Sequence, residues 1–219
     1  ANFFPDTSPE QIRARERGSS ATKGFMGMKQ RDSVTIRFEG DSGDGIISMG
    51  KLAARVAARM GYHVYTYSTF LAVVRGGQVT FQLRLGSEPL LSQGNEPEIL
   101  VALNRQAVRD NGMQVQAGGV ILHPPLNGSP EPVNGEANSV AVNYEEISIQ
   151  ETGRPRSKNM VAVGALLGML GLGEEIAREV VRGMFEDKGK DVAESNIHAL
   201  EAGFTEGRRI GGLAERLRV

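Results

Sequence analysis

The composition of the chain already excludes several classes of function. It has 219 residues, with 25 Lys and Arg against 26 Asp and Glu, no cysteine and three histidines. This balance provides no positive field for nucleic acid or an anionic membrane, so neither is expected as a partner. The absence of cysteine excludes disulfides, thiolate nucleophiles and cysteine-ligated zinc or iron–sulfur clusters in this chain, and the scattered histidines predict no metal site.

The length fits one α/β domain preceded by an N-terminal arm. Residues 1–32 are polar and charged with little periodicity, and residues 33–219 form the predicted domain. The arm nevertheless contains Phe3, Phe4, Phe25, Met26 and Met28. We therefore expect the arm to lie against a partner subunit, and the alternative is a flexible terminus.

The sequence shows neither a membrane span nor a secretory signal. It has no run of about 18 apolar residues. Its first residues, Ala1–Asp6, lack the basic and then apolar order of a secretory signal. We therefore expect a cytoplasmic protein.

Strand and helix periodicities alternate along the domain. Apolar residues alternate with polar ones in 78–85, as in a strand with one wet face, and recur at helical spacing in 46–61. Strands are predicted at 33–38, 63–67, 78–85, 98–103, 119–122 and 140–142, and helices at 46–61, 105–111, 160–170, 174–185 and 191–206. This order predicts an α/β fold, with a mostly parallel sheet flanked by helices, a helical C-terminal part and an extended N-terminal arm.

The most informative motif is the glycine-rich loop between the first strand and the first helix, Gly40-Asp41-Ser42-Gly43-Asp44-Gly45. It is not a dinucleotide fingerprint, because Ser42 stands where the backbone must approach a pyrophosphate and no acid ends the second strand. It is not a P-loop either, since Lys51 lies two turns inside the helix. We expect a tight turn in which Ser42 or Asp44 caps the helix. Two interpretations stay open: a ligand-binding loop, or a turn that only packs.

A second candidate is the turn Arg75-Gly76-Gly77 before the third strand. An arginine beside two glycines can present its guanidinium to a phosphate or carboxylate without side-chain bulk around it. In the predicted sheet this turn and the Gly40 loop lie near the carboxyl edges of adjacent strands, where open α/β sheets bind ligands. The alternative is an arginine in a subunit interface.

Other polar residues indicate local roles. Arg154, Arg156 and Lys158 form a basic cluster before a helix, which is more typical of a solvated loop than of an anion site. Asn104 follows an apolar strand and is expected to cap the next helix. Ser42 has no histidine base that its spacing identifies. We therefore expect no catalytic residue and no bond chemistry by this chain alone.

The loop, the Arg-Gly-Gly turn and the C-terminal third together resemble the gamma subunit, or gamma domain, of 2-oxoacid:ferredoxin oxidoreductases, the pyruvate and 2-oxoglutarate synthase family. Further matching pieces are the strand 99–103 after Pro97, Lys158-Asn159 before a helix with Gly164-Ala165-Leu166, and then Phe185, Lys188, Val192, Asn196, Ala199 and Gly203. The resemblance spans residues 34 to about 204. An ordered series of this length is more specific than any one short motif.

The loop departs from the Gly-x-Gly-Gly-Gln-Gly pattern of many members, because Ser42 and Asp44 replace a glycine and the glutamine. The version in this chain looks like the one in 2-oxoglutarate enzymes whose gamma and alpha parts are fused. The resemblance therefore favours 2-oxoglutarate as the substrate of the complex, with pyruvate next.

The resemblance implies a multisubunit enzyme that interconverts a 2-oxoacid and coenzyme A with acyl-CoA and CO2, with ferredoxin as electron carrier. Thiamine diphosphate and its Mg would lie between the alpha and beta subunits, and iron–sulfur clusters in the beta or a ferredoxin-like subunit. This chain would bind none of them alone and would pack on the catalytic subunits and help to hold coenzyme A. The implied contacts are Gly40, Ser42, Gly43, Asp44, Gly45, Ile46, Arg75, Gly76 and Gly77.

Two other interpretations stay open at this point. The first is a stand-alone α/β module that binds coenzyme A or a nucleotide in the same cleft. The second is an independent NAD(P)-dependent enzyme, which Ser42 and the missing acid disfavour.

Overall fold

The sheet and its helices follow the order expected from the sequence. The computed structural model describes residues 32–70, 77–127 and 131–211. The strands in these residues are β1 Ser33–Asp41, β2 His63–Phe70, β3 Gln78–Gly86, β4 Ile99–Ala102, β5 Val120–His123 and β6 Asn138–Ala141. The helices are α1 Ile46–Arg59, α2 Arg105–Asn111, α3 Tyr144–Thr152, α4 Lys158–Leu170, α5 Glu174–Met184 and α6 Lys190–Ile210. The predicted α/β fold is thereby confirmed.

The sheet is mixed, with strand order β2-β3-β1-β4-β5-β6. β1, β4, β5 and β6 pair in parallel, whereas β3 runs antiparallel to both of its neighbours, β1 and β2. The prediction of a mostly parallel sheet is confirmed. The expectation that the first two strands are adjacent is wrong, because β3 lies between them.

The two faces of the β1–β3 half of the sheet differ in polarity. Val34, Ile36 and Phe38 of β1 are buried in the main core, on the side of the sheet that α1 covers. Phe38 packs edge-to-face on Phe81 of β3, with ring centroids 6.3 Å apart. The opposite face carries polar residues, among them Arg37, because successive side chains of a strand point to opposite sides.

Two C-terminal helices, α4 and α6, pack unusually close together. A Cβ atom placed on Gly164 of α4 would lie 2.2 Å from the Leu200 carbonyl oxygen, and one on Gly203 of α6 would lie 2.2 Å from the Val161 carbonyl oxygen. Such distances leave no room for any side chain at these positions. The glycines therefore let the two backbones touch and fix the helical part beside the sheet.

One helix was not predicted. α3 buries only Tyr144 and Ser148, so its apolar residues do not recur at helical spacing. It is set by local hydrogen bonds instead: the Asn143 side chain accepts from the Glu146 N–H, and the Ser148 hydroxyl donates to the Arg154 carbonyl oxygen over 2.7 Å. The predicted arm, by contrast, lies almost entirely outside the described residues. Among the helices of the described ranges, none combines the length and apolar character needed to cross a membrane.

Replacing Gly203 with Ala tests the close helix contact. The added methyl group would meet the backbone of Val161, which cannot give way as a flexible side chain can. We expect a loss of about 1–3 kcal/mol in the free energy of unfolding, measured by denaturant titration. Gly183→Ala in α5 is the matched control, since its Cβ would meet nothing within 4 Å, and it should be neutral or slightly stabilising. Equal effects of the two substitutions would contradict the packing argument.

Candidate functional site

The glycine-rich loop and the start of β3 meet at one edge of the sheet. Asp41, the last residue of β1, pairs with Gln78, the first residue of β3. The Ser42 N–H donates to the Gly77 carbonyl oxygen over 3.0 Å, and the Gln78 side-chain amide donates to Asp41 Oδ1 over 2.5 Å. Gly77 thus contacts the loop, as the proposed shared edge requires. Arg75 and Gly76 lie outside the described residues.

Two loop glycines have backbone conformations that other residues rarely adopt. Gly43 has a φ of 105° and Gly45 a φ of 80°. Gly40 faces a different constraint, since a Cβ there would lie 3.0 Å from Ile46 and 3.1 Å from Leu103. Glycine therefore fits the backbone at 43 and 45 without strain, and a side chain at position 40 would require its neighbours to shift.

The helix after the loop begins without a side-chain cap. Its N-cap residue is Gly45, so the prediction that Ser42 or Asp44 caps α1 is wrong. Asp44 bonds backwards instead, with Oδ2 accepting from the Asp41 N–H over 3.2 Å. The loop therefore bonds to itself, and no side chain accepts from the backbone N–H groups in the first turn of α1. Elsewhere the cap prediction is confirmed, since Asn104 accepts from the Ala107 N–H over 2.8 Å.

The start of α4 contacts the loop, a contact that sequence reasoning missed. Lys158 Nζ lies 2.8 Å from Asp44 Oδ1, and both side chains are partly buried. Asn159 packs so closely that a Cβ on Gly45 would lie 2.3 Å from its amide nitrogen. The expectation of a solvated basic cluster is therefore wrong for Lys158, although Arg154 and Arg156 are exposed. The available signal was the Lys158-Asn159 pair, which the family resemblance includes.

Charges at this edge are finely balanced. The loop carries two carboxylates, and Lys158 pairs with only one of them, Asp44. An anionic ligand at the start of α1 would gain from the helix dipole and the glycine backbone. It would also compete with Asp44 for Lys158. The geometry thus permits anion binding through exchange of one ion pair for another.

A buried acid lies two residue pairs inside the same edge, on the polar face of the sheet. Glu39 of β1 pairs with Thr80 of β3, and the residue is only 4% exposed. Asn111 and Thr80 are the polar side chains that lower its pKa, and Oε2 has no hydrogen-bond partner among the described residues. Burial raises the pKa of Glu39 to about 7, against the opposing effects of the Asn111 hydrogen bond and the Arg37 charge. Sequence reasoning passed over this acid, although alternation with Ile36 and Phe38 placed it opposite the core.

Arg37 lies next to this acid and is held entirely by neutral oxygens. Its Nε donates to Gln82 over 3.1 Å, and Nη1 donates to Asn111 and Gln114 over 2.8 Å each. Nη2 donates to Gln82 and to the Asn95 carbonyl oxygen. Burial lowers the pKa of Arg37. All five N–H groups of the guanidinium are therefore engaged, while no carboxylate pairs directly with it in these contacts.

A cleft of about 270 Å³ opens on this polar face. Its walls include Arg37, Thr69, Thr80, Gln82 and Asn111. Two of these, Thr80 and Asn111, are the polar residues that lower the pKa of Glu39. Across the ranges that the structure describes, no group of three or more His, Asp or Glu side chains is arranged to hold a metal ion. The site therefore combines backbone amides, single charges and neutral hydrogen-bonding groups.

Comparison with known proteins decides the family. Residues 35–206, more than half of the chain, match the family model described as pyruvate ferredoxin/flavodoxin oxidoreductase. The chain belongs to this oxidoreductase family. The matched range contains the Gly40 loop, β3, the start of α4 and the α4–α6 contact. The resemblance inferred from the motifs is thereby confirmed.

Three similar proteins illustrate the range of this oxidoreductase family. The ketoisovalerate oxidoreductase subunit VorA of Methanothermobacter thermautotrophicus is 31% identical over 78% of this chain and 35% of its own length. The structure of 2-oxoglutarate:ferredoxin oxidoreductase from Magnetococcus marinus, with 2-oxoglutarate, coenzyme A and succinyl-CoA bound, is 31% identical with a TM-score of 0.75. That match covers 82% of this chain and 32% of the other.

The third similar protein is a separate gamma subunit. The keto/oxoacid ferredoxin oxidoreductase gamma subunit from Geobacter sulfurreducens is 25% identical with a TM-score of 0.65, over 80% of this chain and 99% of that subunit. The chain spans about a third of the length of the ketoisovalerate and 2-oxoglutarate proteins, but nearly all of the gamma subunit. Its relatives are thus subunits of oxidoreductases, in agreement with a subunit rather than an independent enzyme.

The buried acid predicts a dependence of stability on pH. The pKa of Glu39 is raised from 4.5 to about 7 in the folded chain, so the folded state holds its proton at pH values where the unfolded state has lost it. The stabilisation is complete below pH 4.5 and is lost as pH rises through 7, by on the order of 3 kcal/mol. Glu39→Gln should flatten this part of the profile in urea titrations between pH 4.5 and 8.

Glu88→Gln serves as the control for that experiment. It removes one formal charge from an exposed turn and should leave the slope as in the wild type. A Glu39→Gln profile as steep as the wild-type one would contradict the assignment of the slope to Glu39.

Proposed function

We propose that this chain is the gamma-type subunit of a thiamine-diphosphate-dependent 2-oxoacid:ferredoxin oxidoreductase. The observation that carries the proposal is the match to almost the whole length of a separate gamma subunit, and the family model that matches residues 35–206 of this chain supports it. The sequence agrees with iron–sulfur clusters lying in other subunits, because a chain without cysteine cannot ligate such clusters through thiolates. The chain packs on the alpha and beta catalytic subunits, and a ferredoxin-like subunit and ferredoxin carry the electrons.

The favoured reaction is the interconversion of 2-oxoglutarate and coenzyme A with succinyl-CoA and CO2. The 2-oxoglutarate enzyme of Magnetococcus marinus supports this choice through its TM-score of 0.75, and the Gly-Asp-Ser-Gly-Asp-Gly loop of this chain supports it independently. Pyruvate is the next candidate. The 2-oxoacid would be selected mainly by the catalytic subunits, since its carboxylate reacts there.

The chain's own contribution is to hold coenzyme A at the carboxyl edge of the sheet. Backbone N–H groups of Gly43, Gly45 and Ile46 would meet a phosphate at the start of α1, with Gly40, Ser42 and Gly77 shaping the turn. Arg75, two residues before the edge residue Gly77, would add a charge-assisted contact. Lys158 would leave its ion pair with Asp44 and pair with the phosphate instead.

In this arrangement the chain binds and orients the acyl acceptor and does not touch the reacting bond. Thiamine diphosphate, where bound, supplies the decarboxylation chemistry in the catalytic subunits. Holding the coenzyme by its phosphates leaves the thiol end free to reach that centre. The chain therefore acts through proximity, which lowers the entropic cost of bringing thiol and acyl group together.

Gentle purification tests the proposed assembly. We expect the tagged full chain, expressed in its native background, to elute with cysteine-bearing subunits that give the sample a brown colour. The physical reason is that redox centres must reside in other chains when this one has no thiol. Recovery of a colourless, stable monomer that binds coenzyme A by itself would contradict the proposal and favour a stand-alone module that binds coenzyme A or a nucleotide.

Replacing Arg75 with Ala tests the contact with coenzyme A. In the assembled enzyme the apparent KM for coenzyme A should rise by a factor equivalent to about 1–3 kcal/mol, with kcat changed less. Arg84→Ala is the control, because Arg84 bonds Ser33 and Ser92 away from this edge. An unchanged KM together with weakened assembly would assign Arg75 to a subunit interface instead.

A further inference from the structure

The outer edge of β2 is the longer of the two free edges in the described part of the sheet. β2 lies at one end of the strand order and pairs with β3 alone among the described strands, whereas β6 at the other end has only four residues. The side chains of residues 63–69 are all exposed, among them Val64, Tyr65 and Tyr67 at 37%, 38% and 46%. A free edge of this length is a template for pairing with another strand.

β2 has none of the features that usually protect a free edge. Such edges are short, or they carry charged residues, proline or a β-bulge. Residues 64–70 contain no charged residue and no proline, and the register with β3 is unbroken over the whole strand, so β2 has no bulge. A strand without charge can lie beside its own copy without like-charge repulsion. This favours a second copy of the chain over a charged segment as the occupant of the edge.

The hydrogen-bond pattern of the sheet identifies the backbone groups of β2 that point outward. The carbonyl oxygens of Thr35 and Glu39 accept hydrogen bonds on the β4 side of β1. Backbone groups of successive residues point to alternate sides, so the even-numbered residues of β1 bond to β3. Through the registers of the two antiparallel pairs, this alternation directs the odd-numbered residues of β2 toward β3. The N–H and C=O groups of Val64, Thr66 and Ser68 therefore point outward.

We propose that β2 pairs antiparallel with β2 of a second copy of this chain, with Thr66 on the two-fold axis. Such an axis is normal to the sheet and preserves its faces, so an odd-numbered residue can face only an odd-numbered one. With Thr66 facing its own copy, Val64 bonds to Ser68 of the second copy. Tyr65 then lies opposite the second copy's Tyr67 on the polar face. Both exposed tyrosines are thereby covered by aromatic pairs of the kind that stabilise antiparallel strands.

The proposed pairing extends the polar cleft across the two-fold axis. Tyr67 and Thr69 line the β2 side of that cleft. In the proposed register the second copy's Tyr65 lies opposite Tyr67, and its His63 lies opposite Thr69. The two copies then form one continuous polar surface. This interface goes beyond the proposed function and does not depend on coenzyme A binding.

Single cysteines test the register, because the chain has none of its own. Thr66→Cys places two thiols opposite each other at a Cα separation of about 5.5 Å, within the range of a disulfide. Mild oxidation of the assembled complex should convert this chain to a covalent dimer, detected on a non-reducing gel through a tag on the chain. Ser68→Cys is the matched control, since the two copies of residue 68 would lie about 13 Å apart along the strands and should stay unlinked.

Thr66→Pro tests the backbone pairing in the full chain. Proline removes the outward N–H group of residue 66 in both copies and leaves the hydrogen bonds to β3, so the circular dichroism spectrum should not change. The dimer dissociation constant from sedimentation should rise at least about tenfold. Equal dissociation constants for Thr66→Pro and the wild type would overturn the proposal.

The cysteine variants give independent outcomes. A Thr66→Cys chain that stays unlinked, or that links only to a different subunit, would overturn the pairing of two copies and leave the proposed function standing. Linking of Ser68→Cys as complete as that of Thr66→Cys would overturn the register.

Discussion

The antiparallel course of β3 is the constraint on which the candidate site depends. Because β3 runs against both neighbours, its first residue lies beside the last residue of β1, and Val79 lies beside Phe70 at the end of β2. The bond from the Ser42 N–H to the Gly77 carbonyl oxygen ties the two glycine-rich segments together. If β3 were parallel, the residues before it would lie at the opposite edge. The topology, rather than either motif alone, brings them to one place.

In the proposed site, a phosphate would compete with the loop carboxylates for the same cation. Asp44 satisfies the Asp41 N–H and Lys158 when no anion is bound. Partly exposed ion pairs of this kind are worth about 0–1 kcal/mol, so replacing Asp44 at Lys158 costs little. A phosphate gains in addition the uncapped start of α1, which Gly45 leaves without a side-chain acceptor. The proposed anion site is therefore compatible with two acids in the loop.

Sequence patterns predicted most elements because their apolar residues follow the period of the element. The alternation in β3 and the helical spacing in α1 gave elements whose bounds differ from the structure by no more than two residues. α3 escaped prediction because its fold is set by hydrogen bonds of Asn143 and Ser148 and not by an apolar stripe. The pattern could not predict the strand order either, because apolar and polar residues alternate in the same way whether β3 runs parallel or antiparallel to its neighbours.

The site was predicted in part for related reasons. Gly43 and Gly45 have positive φ values, which glycine adopts most readily, so a cluster of glycines in the sequence indicates such a turn. The roles of Lys158 and Asn159 depend on where α4 packs. The close contact between α4 and α6, which glycines distant from these residues allow, contributes to that position. Side-chain partners across 114 residues of chain, such as Asp44 and Lys158, leave no local signal. Family resemblance supplied what local reasoning lacked, because it carried Lys158-Asn159 as part of an ordered series.

The two faces of the sheet differ in the polarity of their buried side chains and in what they contribute to stability. The face under α1 is filled with apolar side chains and Phe38 packed on Phe81, which is how stability is obtained. The opposite face keeps Arg37 and Glu39 in positions where hydrophobic residues of similar volume are often equally or more stabilising. Burying the two charged groups without a direct ion pair between them lowers the stability of the fold. The Oε2 atom of Glu39, which has no hydrogen-bond partner among the described residues, adds to that cost. This cost falls two residue pairs from the sheet edge where the candidate site lies.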